Sequence, residues 1–173
     1  MITVRACPLP EGSLLSDVAR SGAYVDCFVA EVAAAVALER FVAAFYTTRL
    51  FKLERWILGW AIGRPSTDMQ AAELASGRID TFAAWRVEQR RDDELLLRAV
   101  DGRTRSWLRV EPIDPSGAAG TRLYFGSAVD PVPDRKTGKP TLGPAFRWLL
   151  GLHRLYSVLL LRAAAARLLA QRP

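Results

Sequence analysis

The sequence predicts an α+β fold in which a curved antiparallel sheet packs around a long C-terminal helix. Two observations predict it. Residues 80–129 contain four runs of strand length that turn residues separate, and residues 144–171 form the longest stretch of helical periodicity in the chain. With 173 residues, of which 50% are apolar and 24% charged, the chain can bury a core as one domain without a disulfide or a metal.

The N-terminal third is predicted to contain an irregular leader, one strand and two helices. Residues 1–22 are rich in proline and glycine and show little periodicity. Residues 24–32 concentrate β-branched and aromatic side chains, which is typical of a strand. Residues 36–48 and 50–62 place apolar side chains at helical spacing. We therefore divide the chain into the leader and a single domain, residues 23–173.

A third short helix is predicted to begin at Thr67. Gln70 follows it three positions later, which is the capping-box pattern at a helix N-terminus, and Gly77 is expected to end the helix. From Asp80 onward the pattern changes to strands. A meander of four antiparallel strands is the simplest interpretation, with strands at residues 82–90, 94–100, 103–111 and 121–129. Asp101 followed by Gly102 is the strongest hairpin signal.

Alternation along the strands predicts which side chains face the core. Trp85 and Val87 share the apolar face of their strand. Trp107 shares a face with two arginines, so we expect it to point away from the core while Leu108 and Val110 point toward it.

A loop rich in proline and glycine, residues 130–143, precedes the last helix and is predicted to be a mobile gate. The last helix, residues 144–171, is amphipathic. Its apolar face is predicted to comprise Trp148, Leu149, Leu152, Leu155, Tyr156, Leu159, Leu160 and Ala163. Arginines interrupt the helix, and its longest apolar run, residues 155–161, is far shorter than the roughly 20 residues that cross a membrane.

The net charge of +6 does not predict nucleic-acid binding, because the arginines are scattered along the chain and form no basic cluster with interleaved aromatic residues. Cys7 and Cys27 are the only cysteines, and neither has a second thiol or a histidine at the spacing of metal ligands. We expect no metal site and no cofactor. Two free thiols in a reducing compartment and the absence of a signal-peptide pattern favour the cytoplasm.

The order of elements resembles the helix-grip fold of the START-like superfamily, which includes polyketide cyclases and lipid-transport proteins. The resemblance covers residues 23–170. Residues 45–48 (FYTT), 125–129 (FGSAV) and 153–157 (HRLYS) are similar to segments of a bacterial branch of that superfamily. The resemblance implies a cavity for a small apolar molecule, such as a lipid, quinone or polyketide, between the sheet and the last helix. For such a cavity we predict as lining residues Trp85, Val87, Leu97, Leu108, Phe125, Leu152, His153 and Tyr156.

His153 is the only histidine, so any imidazole acid–base step has to use it. Its alternative role is a structural hydrogen bond to a strand or loop. The acids nearest to apolar elements are Asp26, Glu31, Glu54 and Asp80. A buried carboxylate among them would be a candidate general base, but we expect ion pairs with arginines instead. No Ser-His-Asp set is recognisable by spacing.

Three function hypotheses follow. The first is a non-catalytic module that binds a small hydrophobic molecule. The second is a cofactor-free cyclase or isomerase that uses His153, with Tyr156 or a buried carboxylate. The third is a protein-interaction domain with a closed core. Transient membrane contact through the arginines of the last helix is an alternative to an ordinary solvated face, and no oligomeric state is predicted.

Overall fold

The computed structural model describes residues 2–53, 66–114, 120–133, 140–142 and 144–171. The predicted helix at residues 50–62 is helical over its described part, within a segment that starts at residue 49. Its remainder, which begins at Glu54, lies outside these ranges, and so do the centre of the 130–143 loop and the side chains of Trp148 and Leu149.

Seven antiparallel strands form one sheet in the order β1-β2-β7-β6-β5-β4-β3. They are β1 Val4–Ala6, β2 Tyr24–Val32, β3 Thr81–Phe82, β4 Trp85–Arg90, β5 Glu94–Ala99, β6 Thr104–Pro112 and β7 Thr121–Val129. Two short strands, β8 Val132–Pro133 and β9 Pro140–Thr141, pair separately. The predicted meander is confirmed as β4 to β7, and β2 pairs with β7 along its whole length.

The helices with defined bounds are α1 Leu14–Arg20, α2 Leu38–Tyr46, α3 Asp68–Ala75 and α4 Pro144–Ala170. The predicted capping box at the start of α3 is confirmed, because Thr67 Oγ1 accepts from the Gln70 amide and the Gln70 side chain accepts from the Thr67 amide. An α+β fold with an antiparallel sheet and a long C-terminal helix is therefore confirmed.

The main core lies between one face of the sheet and α2, α3 and α4. Its centre is a cluster of aromatic rings whose centroids lie 4.7 to 6.4 Å apart. The rings belong to Phe41, Phe45, Tyr46, Phe51, Phe82 and Phe125. The last helix thus shares this face of the sheet with α2 and α3.

The leader is not irregular. It forms β1, which pairs with β2, and α1, which packs on the opposite face of the sheet. Leu14, Leu15 and Val18 of α1 form a second core with Leu96 and Trp107. Trp107 does point away from the main core, as alternation predicts, but α1 covers it and leaves it 0% exposed. The prediction of an irregular leader was wrong because a helix of seven residues carries almost no periodic signal.

The predicted apolar face of the last helix is wrong in part. Leu152, Leu155 and Leu159 are exposed, whereas the buried side of α4 carries Ser157, Leu160, Leu161, Ala164, Ala165 and Leu168. Leucines occur on both sides of this helix, so periodicity alone did not choose the face, and the sheet accepts the side whose small alanines allow a close approach. Among the described residues no helix is long and apolar enough to cross a membrane.

Candidate functional site

A row of polar side chains crosses the apolar face of the sheet. The register places Asp26 of β2 opposite Ser127 of β7, and Ser127 opposite Ser106 of β6. Directly opposed residues on neighbouring strands point to the same face, which here is the face that packs against the helices. All three residues are buried. The same row continues to Leu97 of β5 and Val87 of β4, so it is polar at one end and apolar at the other.

His153 of α4 reaches down to this row and completes a hydrogen-bond chain. Ser127 Oγ donates to Asp26 Oδ1 over 2.7 Å, and the Ser127 amide donates to the same oxygen over 3.2 Å. His153 Nε2 lies 2.7 Å from Ser127 Oγ and 3.4 Å from Asp26 Oδ2. The hydroxyl has one proton and gives it to Asp26, so the network assigns the neutral imidazole a proton on Nε2.

The three residues are those of a hydrolase triad, but their connections differ. In a triad the imidazole lies between the serine and the carboxylate and accepts the hydroxyl proton. Here the serine lies between the imidazole and the carboxylate, and its proton is directed to Asp26 rather than to His153. The arrangement is therefore not that of an activated serine nucleophile. It can hold a proton at Nε2 and fix the orientation of the imidazole relative to the buried carboxylate.

Burial limits the access of solvent to this chain. Ser127 is 3% exposed and Asp26 is 8% exposed, whereas the His153 side chain is 29% exposed. Ser157 Oγ, one turn later on α4, donates to the His153 carbonyl over 3.0 Å. In this set the imidazole is the member that meets solvent.

The polar row also extends into the aromatic cluster. Ser106 Oγ lies 3.2 Å from Tyr46 Oη, and the hydroxyls share a hydrogen bond. Tyr46 is 1% exposed, and its ring packs edge-on against Phe45 and Phe51. The middle of the row is therefore enclosed, whereas its two ends, at His153 and at Val87, are partly exposed.

Next to the His153 end, a surface cleft of about 390 Å³ runs along the outer side of β2. Asp26 lines it together with Cys7, Cys27 and Arg154. Burial raises the pKa of the nearby Tyr24 phenol, and the Arg154 guanidinium opposes this shift. Asp26 thus belongs both to the hydrogen-bond chain and to the wall of a cleft that also contains the cationic side chain of Arg154.

The structure brings together most of the predicted lining residues. Leu97, Leu108 and Phe125 belong to the main core, and Trp85, Val87 and Tyr156 pack against it. Leu152 was predicted wrongly, because it is 63% exposed on the outer side of α4. The Trp85 indole N–H is buried and has no hydrogen-bond partner among the described residues.

The expectation that the acids pair with arginines holds for only some of them. Glu31 contacts Arg5 and Arg122, whereas Asp26 contacts Ser127 and His153. Ser127 was not among the predicted site residues. Its signal was present in the sequence, because Asp26 and Ser127 are polar at positions where strand alternation requires an inward side chain.

Within the described ranges, no group of three or more histidine, cysteine, aspartate or glutamate side chains is placed to hold a metal ion. In comparisons with known proteins, no family model, no curated protein and no solved structure matches the chain. The START-like resemblance stays a prediction, and the functional argument rests on the site itself.

Proposed function

We propose that this protein is a binding domain of the START-like, helix-grip type that holds a small, mostly apolar molecule between the sheet and α4. The ligand would place a polar group against the His153 imidazole and its apolar part near the start of β2 and the end of β7, the strands that α4 contacts. The observation that carries this proposal is the buried hydrogen-bond chain from His153 through Ser127 to Asp26, set in an apolar interface and open to solvent at the imidazole.

The energetics of burial support a binding role. Removing a carboxylate from water costs several kcal/mol unless hydrogen bonds compensate it. Apolar side chains at positions 26 and 127 would fill the space between the sheet and α4 without this cost in desolvation free energy. A chain of polar groups with one solvent-facing end is the kind of convergent polar set that orients a ligand in an otherwise apolar site.

The packing of the core supports this location for the ligand. Aromatic rings fill the centre of the main core, whereas a cleft of about 390 Å³ lies beside the start of β2, next to Asp26. The central part of the 130–143 loop, the proposed gate, lies outside the described residues.

A second candidate is a cofactor-free acid–base enzyme of the cyclase or isomerase kind. The specific observation in its favour is the same relay, because an imidazole linked through a hydroxyl to a buried carboxylate can exchange a proton with a bound substrate. The two functions differ in what His153 contributes: orientation in a carrier, and the proton-transfer step in an enzyme.

Native mass spectrometry of the purified full chain, followed by solvent extraction, tests the proposal first. We expect a stoichiometric apolar molecule bound to the protein. Replacing His153 by Ala should weaken binding of that molecule by about 3-fold to 10-fold, the effect of one lost hydrogen bond. Leu152→Ala is the matched control, since Leu152 precedes His153 on the same helix but is exposed, and it should bind normally.

An enzyme would give a different pattern. His153→Ala would then keep the bound molecule but lower its turnover by about 100-fold or more. A clean apo mass, together with no rise in melting temperature across a library of lipids and aromatic compounds, would overturn both candidates and favour the protein-interaction domain.

A further inference from the structure

The two cysteines of the chain face each other across the edge of the sheet. Cys7 directly follows β1 and continues its register, which places it opposite Cys27 of β2. The Cys7 amide donates to the Cys27 carbonyl over 3.0 Å, and the two Sγ atoms lie 3.4 Å apart and share a hydrogen bond. Opposed residues in an antiparallel ladder have Cα atoms about 4.5–5.5 Å apart, within the roughly 4.4–6.8 Å that a disulfide spans. A bond between these thiols therefore needs no backbone rearrangement.

The surroundings of the two thiols differ. Cys27 is buried in the second core, whereas Cys7 is partly exposed, and both line the cleft beside β2. The hydrogen bond from Cys27 lowers the pKa of the Cys7 thiol, burial opposes this, and the positive charge of Arg5 adds to it. The hydrogen bond to Cys7 and burial raise the pKa of Cys27. Cys7 is thus the thiol that ionises first, and the cleft gives a reagent access to it.

We propose that Cys7 and Cys27 form a reversible thiol–disulfide pair that a small-molecule disulfide, such as glutathione disulfide, oxidises through this cleft. The Cys7 thiolate attacks one sulfur of the oxidant, and the leaving thiolate takes up the proton that Cys7 has lost. Cys27 then gives its proton to solvent and attacks Cys7 Sγ, which expels the second thiolate, and this thiolate takes up a proton from solvent. Two protein thiols are oxidised to one disulfide, and one oxidant molecule is reduced to two thiols.

The bond would close a loop that contains the whole of α1. This helix covers Trp107 and Leu96 on the second face of the sheet. Closing the loop lowers the conformational entropy of the unfolded chain, so oxidation should stabilise the fold. The pair would act as a lock on the N-terminal segment, next to Asp26 and Arg154 in the wall of the same cleft.

The experiment incubates the reduced full chain with glutathione disulfide, quenches with acid and measures the intact mass. We expect the monomer mass to fall by two hydrogens and the melting temperature to rise by about 6–12 °C, and dithiothreitol should reverse both changes. Cys27→Ser should instead retain one glutathione on Cys7. Cys7→Ser should react slowly, because its remaining thiol is buried.

Three outcomes would overturn the proposal: wild-type protein that keeps both thiols, wild-type protein that stops at the glutathione adduct, or a disulfide between two chains. Each is measured on the unmodified sequence, so the result does not depend on the folding of the serine variants. An oxidised protein with an unchanged melting temperature would overturn the locking role.

Discussion

At the scale of single residues, the buried carboxylate of Glu94 connects three parts of the chain. Its Oε2 atom accepts from the Leu14 amide over 2.9 Å and from Trp107 Nε1 over 2.7 Å. Its Oε1 atom accepts from Arg91 Nη1 over 2.8 Å, and the same nitrogen donates to the Gly12 carbonyl over 2.9 Å. The Glu94 side chain thus holds the first turn of α1 on the sheet and accepts a hydrogen bond from the buried Trp107 indole.

Replacing Glu94 by Ala should lower the free energy of unfolding by about 3–5 kcal/mol, because it leaves buried donors without a partner. The measurement is urea denaturation followed by circular dichroism. Glu11→Ala is the control, since Glu11 is exposed in the same segment, and it should change the free energy by less than about 0.5 kcal/mol. If both variants unfolded at the same urea concentration, Glu94 would not anchor α1.

At the scale of secondary-structure elements, α1 approaches β7 closely at Gly126. A Cβ atom at this position would lie 2.4 Å from Leu15 Cδ2 and 2.8 Å from the Asp26 carbonyl oxygen. The second contact is with backbone and cannot be relieved by a side-chain rotation. Gly151 in α4 is the opposite case, because nothing lies within 4 Å of its added Cβ.

The two glycines give opposite predictions for the same substitution. Gly126→Ala should destabilise the protein by about 1–3 kcal/mol through overpacking. Gly151→Ala should stabilise it by up to about 1 kcal/mol, because alanine has a higher helix propensity than glycine at an exposed position of a helix. Both are measured by thermal and urea unfolding. A Gly126→Ala variant as stable as the parent would place α1 farther from β7 than the structure does.

At the scale of the whole molecule, the sheet is covered on both faces. Helices α2, α3 and α4 cover one face, and α1 covers the part of the other face that β2, β5 and β7 form. The first strand also pairs with β2, so the N-terminal segment contributes to the sheet as well as to the second core. The predicted leader is therefore part of the folded body.

A chain that starts at residue 23 should consequently lose cooperative unfolding. Burial of Leu14, Leu15 and Val18 contributes about 5–9 kcal/mol, which is comparable to the whole stability of a typical domain, about 5–15 kcal/mol. Thermal unfolding by circular dichroism and binding of a hydrophobic dye measure the effect. A truncated chain that melts cooperatively near the parent temperature would show that α1 is dispensable.

Local sequence signals determined most of the elements of this protein, but not β1 and α1. The strands at residues 24–32 and 121–129 were predicted with the bounds that the structure shows, and the Thr67 cap was predicted from two residues. Alternation and capping are short-range effects, so the chain displays them in its sequence. The sequence also pointed to His153 and Asp26 as candidate site residues.

Only the tertiary structure decided how these elements meet. Asp26 and Ser127 are 101 positions apart, and nothing local fixes the register that opposes them. The burial of Trp107 depends on a short helix from the far end of the chain, and the buried side of α4 depends on which side fits the sheet. The physical reason is common to all three: long-range contacts are chosen by packing and hydrogen-bond geometry, which a one-dimensional pattern does not contain.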